Sequence, residues 1–362
     1  KVYHYTRKPI QLSNIQSVAI KEQKANVWYL LSRSQRIFTR YTKININPFV
    51  ERIFGFSFTF FNDVKSIVKA LNSESSFKPD LVITLSKGMS FRPHKALLKL
   101  NKFHNKWMAY VHDPYPYHHF PNPYKWIEPG YKIKESFFKE VSEKAKFSAF
   151  PSKLLLEWMG NFYPNFIKTG IVIPHQNFNF NQGEINLPLP KYIDLTKFNI
   201  LHAGSLIGGR SPKGLIKAFK KFIEINPSMK KDSRLILIGN NTYYKKWIEN
   251  EIKGVDEILN ISNNIFFNVV NELQHQVSVN VILEANTEIN PFLPGKFPHC
   301  VKANKSILAL TSKNSELIRL LGNDYEYWAN PDDIQKIKTI LTQLFVKWEH
   351  NPESLKLDRD DL

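Results

Sequence analysis

The sequence predicts an α/β protein of two parallel-sheet domains facing a cleft, and three observations predict it. Short apolar runs alternate with helical repeats through both halves, the pattern of parallel strands joined by crossover helices. The chain has 362 residues, enough for two domains of ordinary size, each with its own core. Between the halves, residues 177–190 (NFNFNQGEINLPLP) have no periodicity and carry Gly and Pro, as a linker does. The expected domains are residues 1–180 and 191–339, with a C-terminal helix of about 340–362 packing back on the first.

In the first half, Asn26–Leu31, Asp80–Leu85, Lys106–His112 and Phe147–Phe150 read as strands. Helices are expected at Asp63–Ser73, Pro93–Leu100, Tyr131–Lys144 and Lys153–Met159, with a long aromatic loop from Pro114 to Gly130. The second half has the clearer rhythm. Phe198–Ala203 is a strand ended by Gly204, and Leu215, Ile216, Ala218, Phe219, Phe222 and Ile223 repeat at helical spacing. Leu235–Ile238 is a strand ended by Gly239-Asn240, and 243–259 reads as a Lys/Glu-rich helix. Residues 264–270, 278–285 and 306–310 read as strands, and 296–302, 316–321 and 331–348 as helices. Ligands of such sheets sit at the carboxyl ends of the strands.

The charge is lopsided. Residues 1–180 carry 27 Lys and Arg against 11 Asp and Glu, whereas residues 181–362 carry 23 against 21. A net +16 on the first half suits an anionic partner and equally suits a solvated basic surface. An anionic membrane surface is the partner expected: Arg33, Arg36 and Arg40 share one face if helical, with Lys43 next and Phe38 and Tyr41 between. No nucleic-acid partner is expected, because the aromatics are not interleaved with Lys and Arg in an RNA-binding signature. One cysteine, Cys300, excludes an intrachain disulfide and a Cys-based metal site, and fits a reducing, cytoplasmic compartment. No apolar run approaches the ~18 residues of a spanning helix.

Three segments carry chemistry. In His202-Ala203-Gly204-Ser205-Leu206-Ile207-Gly208-Gly209-Arg210-Ser211-Pro212-Lys213, a strand runs through a Gly-rich turn into a helix. Glycine lets backbone approach a ligand, a helix start favours an anion, and Arg210 and Lys213 add charge suited to a diphosphate. A plain strand–helix turn with exposed cations fits the same residues. In Asn290-Pro291-Phe292-Leu293-Pro294-Gly295-Lys296-Phe297-Pro298-His299, a Pro/Gly turn opens a second helix, with free amides and Lys296 at its start. The third, Tyr110-Val111-His112-Asp113-Pro114, ends a first-domain strand, where Asp113 could act as base and His112 could touch a sugar or its phosphate. An Asp-Pro turn among aromatics is the alternative. His118 and His119, as neighbours in sequence, are expected to point apart, so no metal site is expected.

The first two segments together resemble the donor half of a GT-B glycosyltransferase of family 4, mainly over residues 196–330. The opening is similar to the subgroup pattern Gly-Ser-Leu-x-Gly-Gly-Arg-Ser-Pro, and the later segment to Pro-Phe-Leu-Pro-Ser-Lys-Leu-x-Glu-Tyr followed by Gly-Lys-Pro-Ile-Leu-Ala. The resemblance implies two Rossmann-like domains and a nucleotide-sugar donor, a UDP-sugar, as substrate rather than cofactor. It implies that Arg210 and Lys296 meet the donor diphosphate, alongside Gly204, Ser205, Lys213, Pro294, Gly295 and His299. It places the base near Gly239, Asn240 and Asn268. It implies transfer with retention to a glycan or lipid-linked acceptor, with His112 and Asp113 across the cleft. Two positions depart from it: the family's glutamate pair falls on Pro291 and His299, neither acidic. Glu284 and Glu288 lie nearby but out of register. A catalytically silent module that binds nucleotide-sugar or glycan is the second reading.

Overall fold

The computed structural model describes the chain apart from residues 5–13, 87, 125, 178–192 and 263–264. Contacts divide it into two compact units, Lys1–Phe120 with Lys125–Ile173 and Pro121–Tyr124 with Pro174–Leu362. The expected linker, beyond Asn177, lies outside the described residues.

In the first unit β1 (Val2–His4) and β2 (Ser17–Ala19) form a parallel pair. Strands β3 (Val82–Thr84), β4 (Trp107–Tyr110), β5 (Phe147–Phe150) and β6 (Gly170–Val172) form a parallel sheet in that order. Seven helices accompany them among the described residues: α1 (Val27–Thr42), α2 (Asn47–Phe54), α3 (Phe58–Asn72), α4 (Arg92–Leu97), α5 (Tyr131–Lys144), α6 (Lys153–Phe162) and α7 (Asn165–Thr169). The core is aromatic: Phe91, Trp107, Phe138, Phe150 and Phe166 are fully buried. Each such side chain contributes roughly 1.5–3 kcal/mol by leaving water. The polar edge of Trp107 is satisfied, since its Nε1 donates to Thr84 Oγ1 at 2.8 Å and so ties β4 to β3.

The strand expected at Asn26–Leu31 is instead the start of α1. The Asn26 side chain accepts from the amides of Trp28 and Tyr29, and such a cap is worth roughly 0.5–2 kcal/mol to a helix. A short apolar run alone does not tell strand from helix.

The second unit is a six-stranded parallel sheet. Its strands are β7 (Phe198–Ala203), β8 (Ser233–Ile238), β9 (Ile258–Ile261), β10 (Val279–Leu283), β11 (Ser306–Leu310) and β12 (Trp328–Ala329), in the order β12-β11-β10-β7-β8-β9. Around it lie α8 (Lys213–Ile223), α9 (Pro227–Asp232), α10 (Lys245–Glu251), α11 (Phe267–Gln276), α12 (Phe297–Lys302), α13 (Glu316–Leu321) and α14 (Ile334–His350). The predicted repeat in α8 is its buried face: Leu215, Ile216, Ala218, Phe219, Phe222 and Ile223 all lie in one core cluster.

Three expectations are corrected here. The helix expected over 243–259 stops at Glu251. Gly254 takes a left-handed φ of +76°, and the chain turns back into β9, which pairs with β8. The strand expected over 264–270 is in its described part the entry to α11, whose Val269 and Leu273 are buried four residues apart. The C-terminal residues, expected with the first unit, fall in the second. Ile337, Ile340, Leu341, Leu344 and Phe345 of α14 join the core of the second, with Phe345 5.6 Å from Phe198 between ring centres. Beyond α14, the Arg359 guanidinium donates to the carbonyls of Leu320 and Leu321, at 3.0 and 2.6 Å.

Candidate functional site

Strand order in the second unit reverses between β7 and β10, and crevices form at the carboxyl ends of strands beside such a switch point. There the backbone is drawn tight. The Gly204 amide donates to the Ile238 carbonyl at 2.8 Å. Gly239 has φ +130°, and a Cβ on it would stand 2.5 Å from the Gly204 carbonyl oxygen. Any larger residue at 239 would push β7 and β8 apart.

Glycine at both strand ends leaves room for a cavity of about 420 Å³, built wholly within the second unit. Ala203, Gly204 and Ser205 form one side and Ile238, Gly239 and Asn240 another. Ile265, Phe267, Val270 and Gln274 add a partly apolar wall, and Gly295, Lys296 and His299 close it. The His299 ring lies 4.9 Å from that of Phe267, and its Nδ1 is buried with no hydrogen-bond partner.

The charges beneath the cavity are coupled. Lys296 Nζ donates to the Val281 carbonyl at 3.1 Å and lies 3.1 Å from His202 Nδ1. His202 is buried, and burial together with the nearby Lys296 ammonium holds its pKa well below the usual range. It is therefore neutral, and its Nδ1 accepts from the lysine. Loss of hydration brings Lys296 itself down to about 8, with Arg210 pushing the same way. Glu284, at the end of β10, is buried and raised to about 7 by desolvation, opposed by the Thr311 hydroxyl, which donates to it at 2.7 Å. Arg210 and Lys296 also oppose that rise. Arg210 is half-buried and hydrogen-bonds the Tyr124 hydroxyl, itself raised by burial. The result is an anion-seeking patch that holds one internal carboxyl.

The turn before α12 is held by Asn290. Its buried Nδ2 donates to the Ala285 carbonyl, Thr311 Oγ1 and Ser312 Oγ at 3.0, 3.1 and 2.9 Å. Pro294 sits in that turn and accepts from the Phe297 amide at 2.8 Å, which opens the helix. Cys300, the chain's single cysteine, lies buried in α12; Gln274 Nε2 donates to its Sγ at 3.4 Å, and burial pushes the thiol up to about 11.

Gly204, Ser205, Gly239, Asn240, Gly295, Lys296 and His299 thus line one cavity, and Arg210 sits with its charged groups. The others fall elsewhere. Lys213 is exposed, its ammonium 5.6 Å from the Trp247 ring centre. Asn268 is in the first turn of α11 and does not line the cavity, although Phe267 and Val270 do. His112 and Asp113 follow β4 in the first unit, half-buried, with the His112 ring 4.3 Å from that of Tyr110. Sequence reasoning gave no role to His202, Gln274 or Tyr124, and set Glu284 aside as out of register. Glu284 carries a readable signal, a carboxylate at the carboxyl end of a buried strand. His202 sits inside an apolar strand and reads as core. His118 and His119 do not point apart: their ring centres are 4.2 Å apart and both face Glu135.

No family model matches the chain, and no curated protein matches it. Among solved structures it is similar to the trehalose-6-phosphate synthase OtsA, with a TM-score of 0.60 at 12% identity over 97% of this chain and 83% of that one. A glycosyltransferase from Rickettsia africae ESF-5 gives 0.59 at 12% identity over 95% and 78%. The Anabaena protein Alr3699/HepE in complex with UDP gives 0.53 at 12% identity over 80% and 74%. Likeness at such identities speaks to architecture alone, and with the two parallel-sheet units it shows that this chain has the GT-B fold of paired Rossmann-like domains.

Proposed function

We propose that this chain is a glycosyltransferase that moves a sugar from a nucleoside-diphosphate donor, a UDP-sugar, to a glycan or lipid-linked acceptor. The observation that carries the reading is the 420 Å³ cavity at the ends of β7 and β8, with Lys296 reaching in and Arg210 beside it. Its half-apolar wall suits a nucleoside and its cations suit a diphosphate. The UDP bound to the Anabaena structure supports the choice of nucleotide. The work of such a site is to position the donor and stabilise the departing diphosphate. His112 and Asp113 are the residues we assign to the sugar and acceptor, transfer proceeds with retention, and the protein acts in the cytoplasm. A thermal-shift series against UDP, GDP and ADP tests the donor: a ligand that binds only the folded state raises the melting temperature. UDP is expected to give the largest rise, and equal or absent shifts for all three would remove the assignment.

Transfer is expected to proceed without a divalent ion at the diphosphate, since Arg210 and Lys296 supply the charge that such an ion otherwise brings. Turnover is measured in excess chelator. Full loss of rate, restored by magnesium or manganese, would overturn this.

A second reading, a silent binding module, is favoured by Pro291 and His299 standing where the family has its glutamates. Donor hydrolysis measured with and without acceptor separates the two: a module that only binds releases no UDP in either.

We further infer that the first unit docks on an anionic membrane. Arg33, Arg36 and Arg40 lie on α1, and Lys43 is its C-cap. Beside them Leu30, Ile37 and Tyr41 of α1 and Phe49 and Ile53 of α2 are exposed, Tyr41 by 82%. No helix among the described residues is long and apolar enough to cross a bilayer. Each cation near an anionic surface contributes about 1 kcal/mol. Co-sedimentation with anionic vesicles at low salt is expected to exceed that with neutral ones and to fall as salt rises. Equal retention by both kinds of vesicle, or by neither, would sink the idea.

A further inference from the structure

The long loop after β4 holds a side-chain cluster that the donor site does not use. A short 3-10 turn, Tyr117–His119, brings two imidazoles against Glu135 of α5. His119 Nε2 is 3.6 Å and His118 Nε2 4.0 Å from the same carboxylate oxygen. One donor atom from each of the three residues lies within 4.8 Å of the other two.

The orientation of His119 is fixed on every side. Its Nδ1 is 3.1 Å from the Tyr115 carbonyl, which can only accept, so that nitrogen carries the proton. Its ring stacks on Phe162 at 3.8 Å and 11°, and its own carbonyl accepts from Trp158 Nε1 at 2.6 Å. Nε2 is left with a lone pair aimed at a carboxylate oxygen. Two acceptors facing each other at 3.6 Å call for a cation between them. A histidine whose second nitrogen is held by a backbone carbonyl is the usual form of a metal-bound imidazole. The His118 ring packs edge-on against Tyr131 at 5.1 Å, and its Nδ1 is buried with no hydrogen-bond partner. The Glu135 side chain is 46% exposed, which leaves an entry path.

We propose that His118, His119 and Glu135 bind Zn²⁺ or a chemically similar first-row divalent ion, with water completing the coordination. Two nitrogens and one carboxylate are a donor set of borderline hardness that zinc accepts in tetrahedral geometry. Ligands at zinc's bond lengths of 2.0–2.2 Å stand about 3.3 Å apart. The two histidine–carboxylate separations, 3.6 and 4.0 Å, contract to that value with a small rotation of the exposed carboxylate, and all three donor atoms already lie within 4.8 Å of one another. The ion would fasten the turn that follows His112 and Asp113 to α5, so its part is to hold the loop.

The test uses untagged, chelator-stripped protein titrated with Zn²⁺ against a chromophoric competitor, and with Co²⁺ followed by visible absorption. One equivalent is expected to bind, with intense d–d bands of low-coordinate cobalt and a higher melting temperature. Glu135→Gln changes an exposed side chain and is expected to keep the fold, checked by circular dichroism, while weakening binding at least tenfold. His118→Ala is expected to do the same. The absence of stoichiometric binding overturns the proposal. So does one equivalent that binds equally well to both variants, which would place the ion on other histidines.

Discussion

On the proposed function, Arg210→Ala is expected to weaken UDP binding by about 1.5–3 kcal/mol, the range for a hydrogen bond to a charged group, and so to raise Kd roughly 10- to 150-fold. The guanidinium is held ready by the Tyr124 hydroxyl and shares its surroundings with Lys296 and Glu284. Its loss also removes a charge that opposes the rise of the Glu284 pKa. That carboxyl then ionises less readily, which in part relieves the cost to the bound anion. The upper end of the range is therefore expected at pH 6, where Glu284 is mostly neutral in either protein and gives no relief, and the lower end at pH 8. Calorimetry at pH 6 and pH 8 measures both values. Unchanged affinity at both would detach Arg210 from the donor.

Gly214→Ala is expected to cost the protein about 1–3 kcal/mol, as overpacking does. In a domain of this size the melting temperature falls roughly 2–4 °C for each kcal/mol. Gly214 lies in the first turn of α8, where an added Cβ would stand 1.9 Å from the Pro331 carbonyl oxygen. That atom is backbone in the segment leading to α14, so a helix rather than a side chain must move. Gly295→Ala is the matched control, since a Cβ there meets nothing within 4 Å. Equal melting temperatures for the two variants in calorimetric scans would show that α8 and the Pro331 segment are not in this contact.

The second sheet was legible because its strands are apolar on both faces and its helices amphipathic. Phe198–Ala203 and Ser306–Leu310 are read to the residue for that reason. Asn26–Leu31 misled because a helix start and a buried strand carry the same short apolar run, and only the Asn26 cap separates them. The cavity was legible through its glycines and Lys296, residues whose local backbone demands are visible in sequence order. Its wall was less so. Ile265, Phe267 and Val270 are ordinary apolar residues until the fold brings them to Gly239. Tyr124 comes from a distant stretch of chain and carries no signal that it belongs with Arg210. The pairing of His118 with His119 was misjudged because neighbours point apart on a strand, whereas a 3-10 turn swings both toward α5.

Burial of Cys300 gives the second unit a built-in clock. A thiol raised to about 11 and shielded by α12 is inert to alkylating reagents while the unit stays shut. Modification then waits for transient opening, and its rate reports the free energy of that excursion. Because the chain has a single cysteine, the mass added to the whole protein is one unambiguous readout. Gln274 touches both this sulfur and the cavity at the ends of β7 and β8, so a ligand that settles there slows the clock by the share of its binding energy that opening must undo.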